Sequence, residues 1–342
     1  MSDTAMHDTC DTADTAPGPL FISGRQHCGN TVMSVLIGGM PGVYAQTDES
    51  TVFEVHSLLD RVSNPADRAK RLDTLIALEA DAHQAWLSQE LQRQFCESPG
   101  SPTLSIYLDT MNALATRMDC HRWAQKATSY IFYASDILER IPDATMIYLL
   151  RNPWDLVASR RRREPTAEAV LSTMMGWSRG LKIAQAMHRD HPERFKIVRY
   201  EDMTGERSTD VIQSVCEWMG EPYSDSLLDV PHVNPSEEKF KMESETRGLN
   251  RSKQFQYVQR LTEAEIAATD LLIDRYGLGS VVQQHFPELP HDIGSQSIQA
   301  KRQARRALRI APIRYAWGYL TRIKRSPRHL ITRTIRRIKA GR

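Results

Sequence analysis

The stretch GRQHCGNT, residues 24–31, holds two glycines, Gly24 and Gly29, with the spacing of the phosphate loop G-x-x-x-x-G-K-[ST]. Thr31 stands where that loop keeps its hydroxyl, and Asn30 where it keeps its lysine. A glycine loop between a strand and a helix points successive backbone N–H groups at one spot. The positive end of the helix dipole adds to them, so a phosphate or sulfate is the natural guest. Triphosphate hydrolysis needs more, namely a lysine on the terminal phosphates and an aspartate that helps to hold magnesium. Asn30 supplies no charge, and the second chemistry-bearing stretch, LLRNPWDLVASRRRR, puts Arg151 at its strand end. Taken alone, the loop reads equally as an anion site and as an ordinary glycine turn.

Arg151 closes an apolar run, and Ser159 follows about two helical turns later. In a parallel sheet the ends of both strands open on the same edge, where ligands bind. A guanidinium there forks onto a phosphate, and a serine adds a donor. Two anion sites on one edge, with no metal machinery, suit a nucleotide carrying anionic groups at both ends of its ribose. The run Arg160–Arg163 reads more readily as a solvated helix face than as a substrate groove, although an acidic glycan would suit it.

The elements that must position these residues are strand–helix units. PLFISG is a short apolar strand ending in Gly24, and NTVMSVLIGG after the loop has helical spacing. ATMIYLLRNP, bounded by Pro142 and Pro153, reads as a buried parallel strand. RFKIVRYEDM is a third strand, and STDVIQSVCEWMG a helix stopped at Gly220 and Pro222. A loop is expected around Thr47–Ser50 with a helix from about Thr51, and residues 66–119 read as largely helical. Alternating strands and helices predict an α/β fold, a three-layer αβα sandwich with a central parallel sheet and a P-loop-like binding loop. The expected division is a disordered lead-in over 1–18, a folded domain over 19–290, and a basic helical tail over 291–342.

In order along the chain, these stretches resemble the sulfotransferases that use 3′-phosphoadenosine-5′-phosphosulfate (PAPS). PLFISGRQHCGNTVM is similar to their 5′-phosphosulfate loop, and PDATMIYLLRNPWDLVASRRRR to their 3′-phosphate segment. IVRYEDM and VCEWMGEPY resemble two later family stretches, and the likeness runs from about Pro19 to about Gly279. The resemblance implies that Gly24, His27, Cys28, Gly29, Asn30 and Thr31 line the phosphosulfate, that Arg151 and Ser159 bind the 3′-phosphate, and that Tyr200 lies near the adenine. QKATSYIFYASDIL resembles the family's E-K-T-P segment, which brings Lys126 to the sulfuryl group and leaves Gln125 where the family has glutamate. TDESTVFE sits where many carbohydrate-type members have a glutamate followed by aromatic residues, which implies Glu49 as the candidate general base, with Asp48 adjacent. NRSKQFQYVQRLTEAE resembles the late segment that closes over the nucleotide, with Arg251, Ser252 and Lys253 as candidates. His27 stands in place of the family's Arg or Lys, and when protonated it would supply the positive charge, making the rate sensitive to pH near neutrality.

The implied reaction is transfer of a sulfuryl group from PAPS to an acceptor hydroxyl of a carbohydrate or glycolipid. Glu49 takes the acceptor proton, Lys126 and His27 steady the departing charge, and no metal is called for. The alternatives are a P-loop kinase-like enzyme and a non-catalytic nucleotide-binding relative.

Composition narrows the setting. The N-terminal stretch lacks the apolar core of a signal peptide, and the five cysteines show no C-x-x-C spacing, so reduced thiols and a cytoplasmic location are expected. Of 44 Lys and Arg, 15 fall in residues 301–342, which hold no Asp or Glu; the other 29 face 42 acidic residues. An acidic body therefore carries a basic tail. Ala316, Leu320 and Ile323 share a helical face, as do Ile331, Ile335 and Ile338, and Tyr315, Trp317 and Tyr319 are amphipathic. Such a segment reads as an anchor for an anionic membrane surface, here the inner face; nucleic acid is the less favoured partner, and a solubilising tail the plainest reading.

Overall fold

The computed structural model describes residues 17–76, 78, 81–230, 248–249 and 254–325. The first unit is β1 (Leu20–Gly24), α1 (Asn30–Gly38) and β2 (Val43–Glu49). A helical excursion follows: α2 (Val52–Leu59), α3 (Pro65–Asp73), α4 (Asp81–Glu97) and α5 (Thr103–Arg117). The chain returns through β3 (Arg122–Lys126), α6 (Ala134–Arg140), β4 (Thr145–Leu150), α7 (Pro153–Arg161) and α8 (Ala167–Asp190). Next come β5 (Phe195–Arg199), α9 (Tyr200–Thr204) and α10 (Ser208–Met219). After these stand α11 (Tyr257–Arg260), α12 (Glu263–Arg275), α13 (Gly279–His285) and α14 (Ile298–Arg325).

Among the described residues the strands form one five-stranded parallel sheet in the order β2-β3-β1-β4-β5. Side-chain alternation divides its faces. Phe21 of β1 meets Phe53 of α2, Trp123 of β3 and Tyr130 edge-on, and Trp123 in turn meets Tyr107 of α5. Tyr148 of β4, two residues from the Phe21 partner Met146, faces Gly180 of α8, so α2, α5 and α8 cover one face. Arg122 points the other way and donates to the Met219 carbonyl at the end of α10; α1 packs on that second face with α10. The fold is the αβα sandwich expected.

Two of the strands depart from the sequence reading. β2 extends to Glu49 through the segment where the sequence predicts a loop, and β3 is a strand that the sequence pattern does not predict. β3 reads RWAQK yet is buried along its whole length, and its polar side chains find partners in other elements: Arg122 donates to the Met219 carbonyl, Trp123 to Asn112, and Gln125 donates to Gln46 and accepts from Tyr107. Hydropathy does not register such a strand.

Residues beyond 290 are not a detached tail throughout. Ala300, Ala304, Leu308 and Ala311 of α14 are buried against α8 and α12. Small side chains at that spacing let one face of a basic helix lie close to the body. The residues beyond 325, with Ile331, Ile335 and Ile338, lie outside the described residues.

Candidate functional site

Because all five strands run one way, their C-terminal ends share an edge, and the chemistry-bearing residues gather there. Gly24 ends β1, Glu49 ends β2 and Lys126 ends β3; Arg151 and Tyr200 are the first residues after β4 and β5. A cavity of about 500 Å³ opens at this edge. It brings together nine of the sequence-predicted residues: His27, Gly29, Asn30, Thr31, Glu49, Lys126, Arg151, Ser159 and Tyr200. Gln26, Val32, Thr128, Arg162, Arg163, Gln256 and Arg260 complete the lining. Gly24, Cys28 and Asp48 do not line it, and Arg251, Ser252 and Lys253 lie outside the described residues.

The loop is a tight backbone structure. Cys28 N–H donates to the Arg25 carbonyl at 3.0 Å, and His27 and Gly29 take left-handed φ values of 73° and 95°. Gly29 caps α1, and a Cβ there would stand 2.7 Å from the Tyr200 ring, so glycine is required both for conformation and for space. Asn30 donates from Nδ2 to the Gly24 carbonyl at 3.0 Å and closes the loop on itself. The amides of the first turn of α1 have no intrahelical acceptors, and the residues that carry them line the cavity. Thr31 adds its hydroxyl.

Two loop residues differ from expectation. Cys28 is fully buried in the hydrophobic core, its thiol pushed up to about 12 chiefly by burial, so its side chain serves packing rather than anion binding. His27 is not the expected cation. Burial first, then the charges of Arg163, Arg151, Arg160 and Arg25, lower its pKa to about 4, leaving a neutral imidazole whose buried Nε2 has no hydrogen-bond partner among the described residues.

Arg151 knits the edge together. Its Nη1 donates to the His27 carbonyl at 2.7 Å, its guanidinium lies over the Tyr200 ring at 4.3 Å, and its Nη2 stands 3.5 Å from Asp155. The Asn152-Pro153 start of α7 explains the position. Asn152 caps the helix by accepting from Asp155 N–H at 2.8 Å, and proline fits the first helical position. Glu201, raised above the usual carboxylate range by burial, accepts from both Asn152 nitrogens at 2.9 Å. Asp155 accepts from Phe255 N–H at 2.8 Å and Tyr257 N–H at 3.0 Å, and so holds the segment that brings Gln256 and Arg260 to the cavity.

At the other end Glu49 and Lys126 are register partners across β2 and β3. Glu49 is exposed and accepts from Thr128 Oγ1 at 3.4 Å. Lys126 is buried, and desolvation lowers its pKa, against the opposing pull of Glu49 and Asp48. Gln125 points away into the core network, where the Tyr107 and Tyr130 hydroxyls both donate to its Oε1.

The family profile of the sulfotransferases matches residues 19–225. The chain belongs to the sulfotransferase family. No curated protein matches it. Among solved structures it is similar to the sulfotransferase domain from the Synechococcus PCC 7002 olefin synthase, 20% identical, covering 85% of this chain and 94% of that one at a TM-score of 0.46. It is also similar to the sulfotransferase domain from the curacin biosynthetic pathway (16% identical, covering 85% and 97%, TM-score 0.42). A third is sulfotransferase STF1 from Mycobacterium tuberculosis H37Rv (19% identical, covering 63% and 70%, TM-score 0.39).

Several residues of this sulfotransferase's cavity escape sequence reasoning. The four-arginine run splits where α7 ends: Arg160 pairs with Glu164 and Arg161 with Glu265, while Arg162 and Arg163 line the cavity. The run itself was visible, but its division depends on where the helix stops. Thr128 lies in the segment expected beside the sulfuryl group, and Gln256 and Arg260 in the late segment expected to close over the nucleotide, but the sequence singles out none of the three. The bracing role of Asp155 carries no local signal, because packing from a distant segment creates it.

Proposed function

We propose that this sulfotransferase transfers a sulfuryl group from PAPS to an acceptor hydroxyl, of a carbohydrate or a glycolipid. The observation that carries the reading is the convergence of the α1 loop, the Arg151–Ser159 pair and the Glu49–Lys126 pair on one cavity. Its volume is in the range of small-molecule sites. The donor set fits: first-turn amides and the Thr31 hydroxyl for one anionic group, Arg151 and Ser159 for the other, and the Tyr200 ring beside them. The buried Nε2 of His27, without a partner among the described residues, is a further polar group that a ligand would satisfy.

When bound, the donor supplies a sulfuryl group attached to a phosphate leaving group. Glu49, at the exposed mouth, takes the proton of the acceptor hydroxyl. Lys126 places a cation against developing negative charge, and the loop amides are fixed before reaction, so they need no reorganisation. His27, being neutral, offers a hydrogen bond rather than a charge.

The test is transfer of radiolabelled sulfuryl from PAPS into a lysate fraction of carbohydrates and lipids, with binding of 3′-phosphoadenosine 5′-phosphate measured in parallel. Labelled product, with binding lost in Arg151→Ala, is expected. Absence of product together with Arg151-independent binding, or magnesium-dependent phosphoryl transfer from ATP instead, would sink the reading.

A further inference from the structure

Helix α14 has two faces of different character. Ala300, Ala304, Leu308 and Ala311 pack on the body. On the side turned away, the second half of the helix exposes Ile310, Ile313, Trp317 and Leu320, spaced i, i+3, i+7 and i+10 along one stripe. Ile313 and Trp317 are each 71% exposed, whereas most large apolar side chains of this chain are buried. The first half of the same outward side carries Arg302, Arg306 and Arg309, all exposed, and none of them forms an ion pair among the described residues. Residues 298–325 hold nine Lys and Arg and no Asp or Glu. Among the described residues no helix is long and apolar enough to cross a membrane.

From this arrangement we infer that the outward face of α14 docks on the surface of an anionic lipid bilayer. The apolar stripe enters the boundary between headgroups and acyl chains, and the arginines meet the lipid phosphates. The charge of the helix selects this occupant. A second α14 packed face to face would set nine cations against nine, and a neutral protein groove would leave the arginines without partners. Arg314 pairs with Glu168 in the first turn of α8 at 3.6 Å, and one turn on, the Ser172 carbonyl accepts from Arg25 at 3.3 Å, the residue before cavity-lining Gln26. The docked helix is thus joined through α8 to the loop beside the cavity, an arrangement that suits an acceptor hydroxyl borne on a membrane. That consequence rests on the proposed transfer reaction; the docking does not.

The test is sedimentation of the full chain with vesicles of phosphatidylcholine, alone or mixed with phosphatidylglycerol, at several salt concentrations. The expected result is binding to the mixed vesicles only, falling as salt rises, with Trp317 quenched by brominated lipid. Each arginine near an anionic surface is worth about 1 kcal/mol, about fivefold, so the triple variant R302Q/R306Q/R309Q should bind about a hundredfold more weakly. The variant I313S/W317S/L320S should lose at least about tenfold. Both should keep the wild-type thermal midpoint, since their side chains face away from the body. Wild-type vesicle binding by both variants overturns the inference, as does no binding by the wild type. So does a self-association, or an affinity for single-stranded RNA, that the stripe variant abolishes while vesicle binding persists. None of these readouts depends on sulfuryl transfer.

Discussion

His27 gives the sharpest test of the site's electrostatics. Its pKa in the folded chain is lowered to about 4, by burial first and by four surrounding arginines after that, against 6.5 for an ordinary histidine. The folded state therefore binds fewer protons than the unfolded state between these values. Stability contributed by the neutral imidazole is present above pH 6.5 and is lost as pH falls towards 4. Integrating that difference gives a loss of about 2 kcal/mol between pH 7.5 and pH 5.0. The perturbation is His27→Asn, which removes the titrating group and keeps a residue tolerant of the left-handed φ of 73°. Urea unfolding of both proteins at the two pH values isolates the histidine, since other titrating groups cancel in the comparison. The wild type should lose about 2 kcal/mol more than the variant on acidification. An unchanged difference, or one of opposite sign, would refute both the neutral imidazole and its cause.

Glu49→Gln should lower kcat by about a hundredfold to ten-thousandfold, the usual worth of a general base, and leave calorimetric affinity for 3′-phosphoadenosine 5′-phosphate unchanged. An equal loss of affinity would make Glu49 a binding residue instead. Gly29→Ala combines a φ of 95° with a Cβ 2.7 Å from the Tyr200 ring, so a loss of about 1–3 kcal/mol or more is expected in thermal or urea unfolding; a neutral result would mean that the loop is not held as described. Asp155→Asn replaces an acceptor of two peptide N–H groups, each charge-assisted bond being worth about 1.5–3 kcal/mol, and should free the segment that carries Gln256. Faster tryptic cleavage after Arg260 reports that release, and wild-type cleavage rates would contradict it.

The parts of this fold legible in the sequence are those in which burial and hydropathy coincide. β1 and β4 are apolar runs between prolines and glycines, and the helix over Ser208–Met219 ends at Gly220 in the left-handed conformation, as a glycine stop predicts. β3 failed the same reading because Arg122, Trp123 and Gln125 are buried with partners: the Met219 carbonyl, Asn112, Gln46 and two tyrosine hydroxyls. Those partners come from four other elements, so no window along the chain contains the information. Cys28 was misplaced for a related reason. Its neighbours in sequence face the cavity, but the turn closed by the Arg25 carbonyl rotates its side chain into the core. Arg151 was placed at a strand end by its apolar prefix alone, whereas its partners, His27, Asp155 and Tyr200, required the fold.

The loop over residues 24–31 carries no net charge of its own at neutral pH beyond Arg25, which turns away to Ser172. Asn30 closes the loop and His27 is neutral. Its attraction for an anion therefore comes from oriented amides, while the cations arrive from elsewhere: Lys126 from β3, Arg151 from β4, Arg162 and Arg163 from the exit of α7, and Arg260 from α11. After burial, which comes first, charges gathered for an anion, Arg163 and Arg151 among them, further lower the pKa of His27 by repelling a proton. The same field would reverse on filling. A bound dianion offsets the arginines whose charge acts on His27, so ligand binding should draw a proton towards it at mildly acid pH. Calorimetry of 3′-phosphoadenosine 5′-phosphate at pH 6 in buffers of different ionisation enthalpy measures that uptake. Wild type should take up more protons than His27→Asn, and equal uptake would show that the histidine does not sense the anion.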